Sequence, residues 1–209
     1  MKKIIIFDFD GTIADTLKVA LRIVNDYLKK EHYQTISAAE LKQLRNMNPL
    51  QLITHFKFPL WKLPSLLKHV RNQLAKEVNK VKIFPGVEKL IINLKLNKFR
   101  LAILSSNLKE TVDKFLAIHQ LPVFDYIMCE PNIFEKGRLL KSFLKEHDLK
   151  TKDVIYIGDE VRDVEACKNV DIPIIAVTWG FNDKNALLKM KPDFMAQKPQ
   201  QILSLLKKR

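Results

Sequence analysis

The chain has 209 residues, of which 47% are apolar and 28% charged, and these values suit one globular domain with a modest insertion at most. Apolar runs such as residues 4–7 and 172–177 are too short to span a membrane, and Asp8 ends the first one too early for a secretory signal. The two cysteines form neither a disulfide framework nor a CxxC metal pattern. We therefore expect a cytoplasmic protein with no membrane partner.

The net charge of +13 is unusual, and part of it lies in one region. Residues 15–82 contain 13 lysine and arginine residues against five acidic ones. A basic surface attracts nucleic acids and small phosphorylated metabolites alike, so the charge alone does not choose between these partners.

The first predicted element is a β-branched strand at residues 3–9, which leads directly into Asp10-Gly11-Thr12. From residue 15 to about residue 82 the apolar spacing is helical. Ser37-Ala38-Ala39-Glu40 is a capping box that opens one helix, and Pro49 predicts the first turn of another. We interpret residues 15–82 as an all-helical cap domain.

After Pro85-Gly86, predicted helices alternate with buried strands. These strands cover residues 99–104, 126–129, 154–157 and 172–177, and an amphipathic helix follows Pro199. Such alternation predicts right-handed crossovers and a mostly parallel sheet with helices on both faces. The expected fold is an α/β doubly wound, Rossmann-like sheet built from residues 1–14 and 83–209, with the all-helical cap inserted after the first strand.

Ligands of such sheets bind beyond the carboxyl ends of the strands, so the residues that follow each strand are the candidates for function. Polar or flexible residues lie at these positions. The first strand is followed by Asp8, Asp10, Gly11 and Thr12, and the strand at residues 99–104 by Ser105, Ser106 and Asn107. Lys136 opens a predicted helix, and the strand at residues 154–157 is followed by Asp159, Glu160 and Asp163. The segment Thr178-Trp179-Gly180 has two interpretations, a loop beside the site or a packed tryptophan.

The chemistry of these residues points to phosphoryl transfer. Asp8 and Asp10 are two positions apart on an extended segment, so their side chains point to the same side. Neighbouring carboxylates repel each other unless a cation neutralises them, and with Asp159 they supply three hard oxygen donors that suit Mg²⁺. Lys136 and Ser105 add a positive charge and a hydroxyl that fit a phosphoryl group, and a carboxylate can attack phosphorus to form an aspartyl-phosphate.

Four segments together resemble the motifs of the haloacid dehalogenase-like (HAD) hydrolase superfamily. Residues 8–16, Asp-Phe-Asp-Gly-Thr-Ile-Ala-Asp-Thr, resemble the first motif. Ser105 resembles the second motif, Lys136 the third, and residues 158–163, Gly-Asp-Glu-Val-Arg-Asp, the fourth. The helical insertion resembles the cap of phosphoglycolate phosphatase-like members, although these commonly have Lys-Pro where this chain has Lys136-Gly137.

The resemblance implies a role for each candidate residue. Asp8 would be the nucleophile and Asp10 the general acid and base. Mg²⁺ would be held by Asp8, by Asp159 and by Asp10 through its backbone carbonyl, with Glu160 or Asp163 supporting the metal's waters or Lys136. The phosphoryl group would be bound by Ser105 and Lys136, with Gly11, Thr12, Ser106 and Asn107 around it; Ser106 in place of Ser105 is the alternative at the second motif.

The expected function is a Mg²⁺-dependent phosphatase that acts on a small phosphorylated metabolite, phosphoglycolate-like or a sugar phosphate, as a monomer or homodimer. Phosphoglucomutase-like or nucleotidase specificity is an alternative, because the cap rather than the sheet sets specificity. A nucleic-acid-associated binding protein on the same fold is the alternative from a different class. We do not expect nucleic acid as the partner, because the sequence has no basic and aromatic stripes and has the full set of candidate catalytic residues.

Overall fold

The computed structural model describes residues 3–47, 51, 58–121, 124–130 and 135–207. The strands in these residues are β1 (Ile4–Asp8), β2 (Ala14–Asp15), β3 (Lys82–Ile83), β4 (Arg100–Ser105), β5 (Tyr126–Cys129), β6 (Val154–Gly158), β7 (Ile174–Val177) and β8 (Phe194–Ala196). Six of them form one sheet in the order β5-β4-β1-β6-β7-β8, with all neighbouring pairs parallel. The predicted α/β fold with a mostly parallel sheet is confirmed.

In the chain, at least one helix lies between successive strands of the six-stranded sheet. The helices in the described residues are α1 (Leu17–Lys30), α2 (Ala38–Leu44), α3 (Leu63–Lys76), α4 (Val87–Leu96), α5 (Lys109–Ile118), α6 (Lys136–Glu146), α7 (Val161–Lys168), α8 (Lys184–Lys189) and α9 (Gln200–Lys207). No helix among the described residues is long and apolar enough to cross a membrane.

The central strands are mostly apolar, as a sheet with helices on both faces requires. All five residues of β1 are buried, as they must be in the middle of a parallel sheet. Ile5 and Phe7 pack on the face covered by α4, α5 and α9, whereas Ile4 and Ile6 pack on the face covered by α6, α7 and α8. The residues that follow β1 therefore emerge at the middle of the sheet's carboxyl edge.

The predicted insertion leaves and rejoins this core through a small antiparallel pair, β2 with β3, in which Asp15 lies opposite Lys82. Between these strands the described residues form α1, α2, α3 and short 3₁₀ turns. Ser37 and Glu40 form the predicted capping box at the start of α2. The helix predicted to begin at Pro49 lies outside the described residues.

The short elements β2, β3, α8 and β8 were not predicted, because two to six residues carry too little periodic pattern. The last predicted strand begins at Ile174 rather than at Ile172. Pro173 explains the difference, since it has no N–H to donate to a sheet ladder. Its carbonyl oxygen still accepts a hydrogen bond from the Tyr156 amide.

Candidate active site

The candidate residues meet at the carboxyl edge of the sheet because β4, β1 and β6 are neighbours. Asp8, the last residue of β1, lies in register with Leu104, and Ser105 therefore ends β4 beside it. Gly158 ends β6 on the other side of β1, so Asp159 also reaches this edge. Three strand ends thus bring together residues that are up to 151 positions apart in the chain.

The turn after β1 depends on Gly11. Its amide donates a hydrogen bond to the Ala14 carbonyl, and its φ of 83° lies in the left-handed region that favours glycine. A Cβ at this position would also collide with the Asp159 carboxylate. Gly11 therefore allows the first and fourth motifs to approach each other closely.

Three buried carboxylates form the centre of the site. Asp8, Asp159 and Asp163 each supply one oxygen, and these oxygens lie within 4.8 Å of one another. Burial raises the pKa of Asp8 to about 7 even though Lys136 opposes the shift. Burial and the neighbouring Asp8 hold the pKa of Asp159 well above its usual range. Together the three groups can bind a divalent cation, which would remove the cost of burying their charges.

Lys136, in the first turn of α6, is the positive charge beside this cluster and is only 4% exposed. Its Nζ lies 2.8 Å from Asp8 Oδ1, 2.5 Å from Asp163 Oδ1 and 3.3 Å from the Tyr156 hydroxyl. Burial opposes the charge on Lys136, but Asp163 and Asp8 outweigh it and raise the pKa of the amine above its ordinary value. The lysine is therefore held protonated at the nucleophile candidate.

Asp159 is oriented by hydrogen bonds to both of its oxygens. The Thr12 hydroxyl donates to Oδ1 at 2.7 Å, and the Phe181 amide donates to Oδ2 at 2.6 Å. Thr12 was predicted beside the phosphoryl group, and in the structure its hydroxyl contacts Asp159. A Cβ at Gly180 would collide with the same carboxylate, so this glycine leaves space for Asp159.

Asp10 lies next to the end of β4. Asn107 Nδ2 is 3.3 Å from Asp10 Oδ2, and the Asn107 amide donates to Ser105 Oγ at 3.0 Å. Burial raises the pKa of Asp10, although hydrogen bonds from Thr16 and Asn107 oppose the shift. A raised pKa suits a group that must give and take a proton. Of the two serines predicted as alternatives, Ser105 is the one that is buried within this network.

Glu160 and Asp163 have different surroundings. Asp163 belongs to the carboxylate cluster and pairs with Lys136, while Oδ2 accepts a hydrogen bond from the Glu160 amide at 3.0 Å. The Glu160 carboxylate instead accepts a hydrogen bond from Arg162 at 2.6 Å. Of the two, Asp163 is thus the residue in direct contact with Lys136.

The loop of residues 180–183 is the part of the site that the sequence did not predict. Trp179 donates its indole N–H to the Thr12 carbonyl at 3.1 Å and also packs against the hydrophobic core, so both interpretations of residues 178–180 hold. Phe181 binds Asp159 through its backbone amide, which leaves no side-chain signal. The scarcity of glycine was the one available hint, since Gly180 is one of only five glycines in the chain.

Comparisons with known proteins identify the family. A family model described as haloacid dehalogenase-like hydrolase matches residues 5–177. The chain belongs to the haloacid dehalogenase-like hydrolase family. The resemblance inferred from the four motifs is therefore confirmed.

The chain is similar to two curated relatives and to one solved structure. A phosphoglycolate phosphatase of Synechococcus elongatus is 34% identical over 200 residues, covering 95% of this chain and 94% of the relative. A phosphoglycolate phosphatase of Aquifex aeolicus is 26% identical and covers 98% and 96%. A crystal structure of a predicted phosphatase from Clostridium acetobutylicum has a TM-score of 0.86 at 21% identity, with both chains covered completely, and this likeness concerns the fold. The predicted enzyme class, a phosphatase of the haloacid dehalogenase-like family, is confirmed.

Proposed function

We propose that this protein hydrolyses a small phosphate monoester through an aspartyl-phosphate formed on Asp8. One observation carries the proposal: Asp8 Oδ2 is buried and has no hydrogen-bond partner among the described residues, while Oδ1 is held by Lys136. An unpaired carboxylate oxygen beside a fixed positive charge is suited to attack phosphorus. The names of the relatives support a phosphatase.

The residues present fit Mg²⁺. Asp8 and Asp159 would hold the ion together with the backbone carbonyl of Asp10, and the Asp163 carboxylate lies in the same cluster. Oxygen-only donors suit Mg²⁺, and the uncompensated burial of these carboxylates favours a cation among them. Bound there, Mg²⁺ supplies positive charge that offsets the carboxylates and polarises the phosphoryl group.

The chain's own residues would act in two steps. Asp8 Oδ2 attacks phosphorus while the bond to the leaving oxygen breaks, and Asp10 gives that oxygen its proton. Lys136 and Ser105 bind the phosphoryl oxygens. Asp10, now ionised, takes a proton from a water molecule that attacks phosphorus, which releases phosphate and restores Asp8.

The organic part of the substrate would be selected by the cap, residues 15–82. We propose that this cap moves as a lid, opening for substrate and closing to exclude water, with hinges near residues 14–17 and 82–85. Phosphoglycolate and sugar phosphates are the first compounds to assay, and the relatives' names support the former.

The test measures phosphate release from these compounds with Mg²⁺, with excess chelator, and in Asp8→Asn. We expect no turnover after chelation and a loss of about 10⁴-fold or more in the variant, since an amide cannot replace the attacking carboxylate. Asp171→Asn is the matched control, because Asp171 is exposed and precedes β7 at the opposite edge of the sheet. Full activity with chelator would contradict the metal requirement, and near-normal turnover of Asp8→Asn would contradict the nucleophile.

A further inference from the structure

A cavity of about 410 Å³ lies between the helices of the cap and the catalytic edge of the sheet. Its volume is within the range of about 300–1000 Å³ that is usual for sites of small ligands. Side chains from α1, α2 and α3 form its walls among the described residues, and they include Leu21, Val24, Leu41, Leu44, Leu66 and Leu67. The cavity therefore lies mainly in the cap but reaches residues of the core.

The core end of this cavity adjoins the candidate catalytic site. Asp10 and Gly11 line it there, together with Arg162 and Glu160. Asp10 is the residue that would protonate the leaving oxygen in the proposed reaction. A molecule whose phosphoryl group sits at Asp8 would thus have its leaving group next to Asp10 and directed into the cavity.

The charges around the cavity are restricted to its core end. Asp10, Glu160 and Arg162 are the charged side chains among the described lining residues, and Arg162 is paired with Glu160. None of the described lysines and arginines of residues 15–82 lines the cavity, although this region is strongly basic. A carboxylate or several hydroxyls of a ligand, placed against these walls, would lose their hydration without gaining a hydrogen-bond partner. The loss would cost binding free energy.

The cavity walls also leave apolar surface incompletely covered. Leu21, Val24 and Leu66 are only partly buried although they face the interior of the cap. Covering such surface with hydrocarbon is favourable in proportion to the area removed from water. Because Asp10 lines the cavity, a leaving group that Asp10 protonates can extend along these apolar walls.

From this geometry we infer that the substrate is a phosphate monoester of a hydrophobic alcohol, with an alkyl or aryl leaving group of several carbons seated in the cavity. The inference rests on the proposed phosphatase activity and adds the substrate class. An enzyme selective for phosphoglycolate would differ, because the leaving group of phosphoglycolate carries a carboxylate.

A series of n-alkyl phosphates tests the inference on the unmodified protein. The alcohols from ethanol to hexanol are leaving groups of nearly equal chemistry, so differences in kcat/KM report contacts with the protein. We expect kcat/KM to rise about fourfold for each methylene that is buried, or roughly 250-fold from ethyl to hexyl phosphate if all four added methylenes are buried. Propyl phosphate should also be hydrolysed with higher kcat/KM than phosphoglycolate.

Filling the cavity should remove this dependence on chain length. Ala20 on α1 lines the cavity, and Ala20→Phe is expected to bring kcat/KM for hexyl phosphate down to nearly that for ethyl phosphate. Ala39→Phe makes the same change on the exposed side of α2 and should keep the full dependence. If Ala20→Phe fails to fold, the series on the unmodified protein decides.

Acetyl phosphate separates failure of the inference from failure of the proposed activity, because its leaving group is small and needs little protonation. If acetyl phosphate is hydrolysed but the alkyl series is flat, or phosphoglycolate exceeds propyl phosphate, the substrate class is wrong and the phosphatase proposal stands. If neither acetyl phosphate nor any alkyl phosphate is hydrolysed with Mg²⁺ present, both are wrong.

Discussion

The two oxygens of the Asp8 carboxylate have different surroundings, and this difference is the basis of the proposed chemistry. Oδ1 accepts a hydrogen bond from Lys136, which fixes the orientation of the group. Oδ2 has no such partner among the described residues, although it is buried. The same side chain can therefore be positioned through one oxygen and react through the other.

The burial of Asp8 and Asp159 predicts how stability depends on pH and metal. Without metal, burial raises the pKa of Asp8 to about 7 and that of Asp159 well above its usual range. The folded state then binds more protons than the unfolded state from about pH 4 to pH 7, so the free energy of unfolding falls as pH rises through this window. Mg²⁺ should replace the protons, and its stabilising effect should be larger above this window than within it.

Thermal unfolding measures this effect. We expect millimolar MgCl₂ to raise the Tm by roughly 5 °C or more at about pH 8, and by clearly less at about pH 5.5. Asp8→Asn should reduce the pH dependence, since it removes one of the titrating carboxylates. An equal Tm shift at both pH values would contradict the description of these carboxylates as uncompensated without metal.

At the scale of elements, the end of α2 is joined to the 180–183 loop by several hydrogen bonds. Arg45 donates from Nε to the Phe181 carbonyl and from an η nitrogen to the Gly180 carbonyl, both at 2.8 Å. In the opposite direction, Asn182 Nδ2 donates to the Arg45 carbonyl at 2.9 Å. Because the Phe181 amide binds Asp159, these bonds link the cap to a candidate metal ligand.

Removal of this link should weaken catalysis without changing the residues that react. We expect Arg45→Ala to lower kcat/KM by roughly tenfold, because hydrogen bonds from a charged donor that hold the cap against the core are replaced by water. Lys42→Ala removes the same charge from an exposed position on α2 and is the control. Equal losses in the two variants would show that only the charge matters and would refute the link.

The predictable and unpredictable parts of the site differ in the kind of contact involved. Asp8, Ser105 and Asp159 could be predicted because each follows or ends a buried strand, and neighbouring parallel strands bring such positions together. The Arg45 contact joins residues 135 and 136 positions apart through backbone carbonyls, which carry no sequence signal. The strand β8 was missed for a different reason, since three residues are too short to show a period.

At the scale of the whole molecule, the net charge of +13 has no direct role inside the cavity. The basic residues of the cap do not line the cavity in the described part of the chain, so their effect on an anionic substrate acts over longer distances. Such effects accelerate the encounter with a phosphate ester and are screened by salt.

Steady-state kinetics at increasing NaCl tests this role. We expect kcat/KM for a phosphate ester to fall severalfold between low and high ionic strength, since the screening length shrinks from about 30 Å at 0.01 M to about 3 Å at 1 M. The value of kcat should change little, because the bound substrate is already at the site. An unchanged kcat/KM would remove the steering role and leave the proposed lid unaffected.

The central claim is that Asp8 receives the phosphoryl group and that Asp10 moves the protons. Asp10→Asn keeps the nucleophile but loses the general acid and base, roles worth about 10²- to 10⁴-fold each. Acetyl phosphate needs little protonation of its leaving group, so this variant should still phosphorylate Asp8 and then fail to activate water.

The most direct measurement is therefore acid quenching of Asp10→Asn with acetyl phosphate and Mg²⁺, followed by mass analysis of the peptides. We expect a peptide containing Asp8 that carries one added phosphoryl group and is absent from the double variant with Asp8→Asn. A phosphoryl group trapped on any other residue, or near-normal turnover by Asp8→Asn alone, would contradict the central claim.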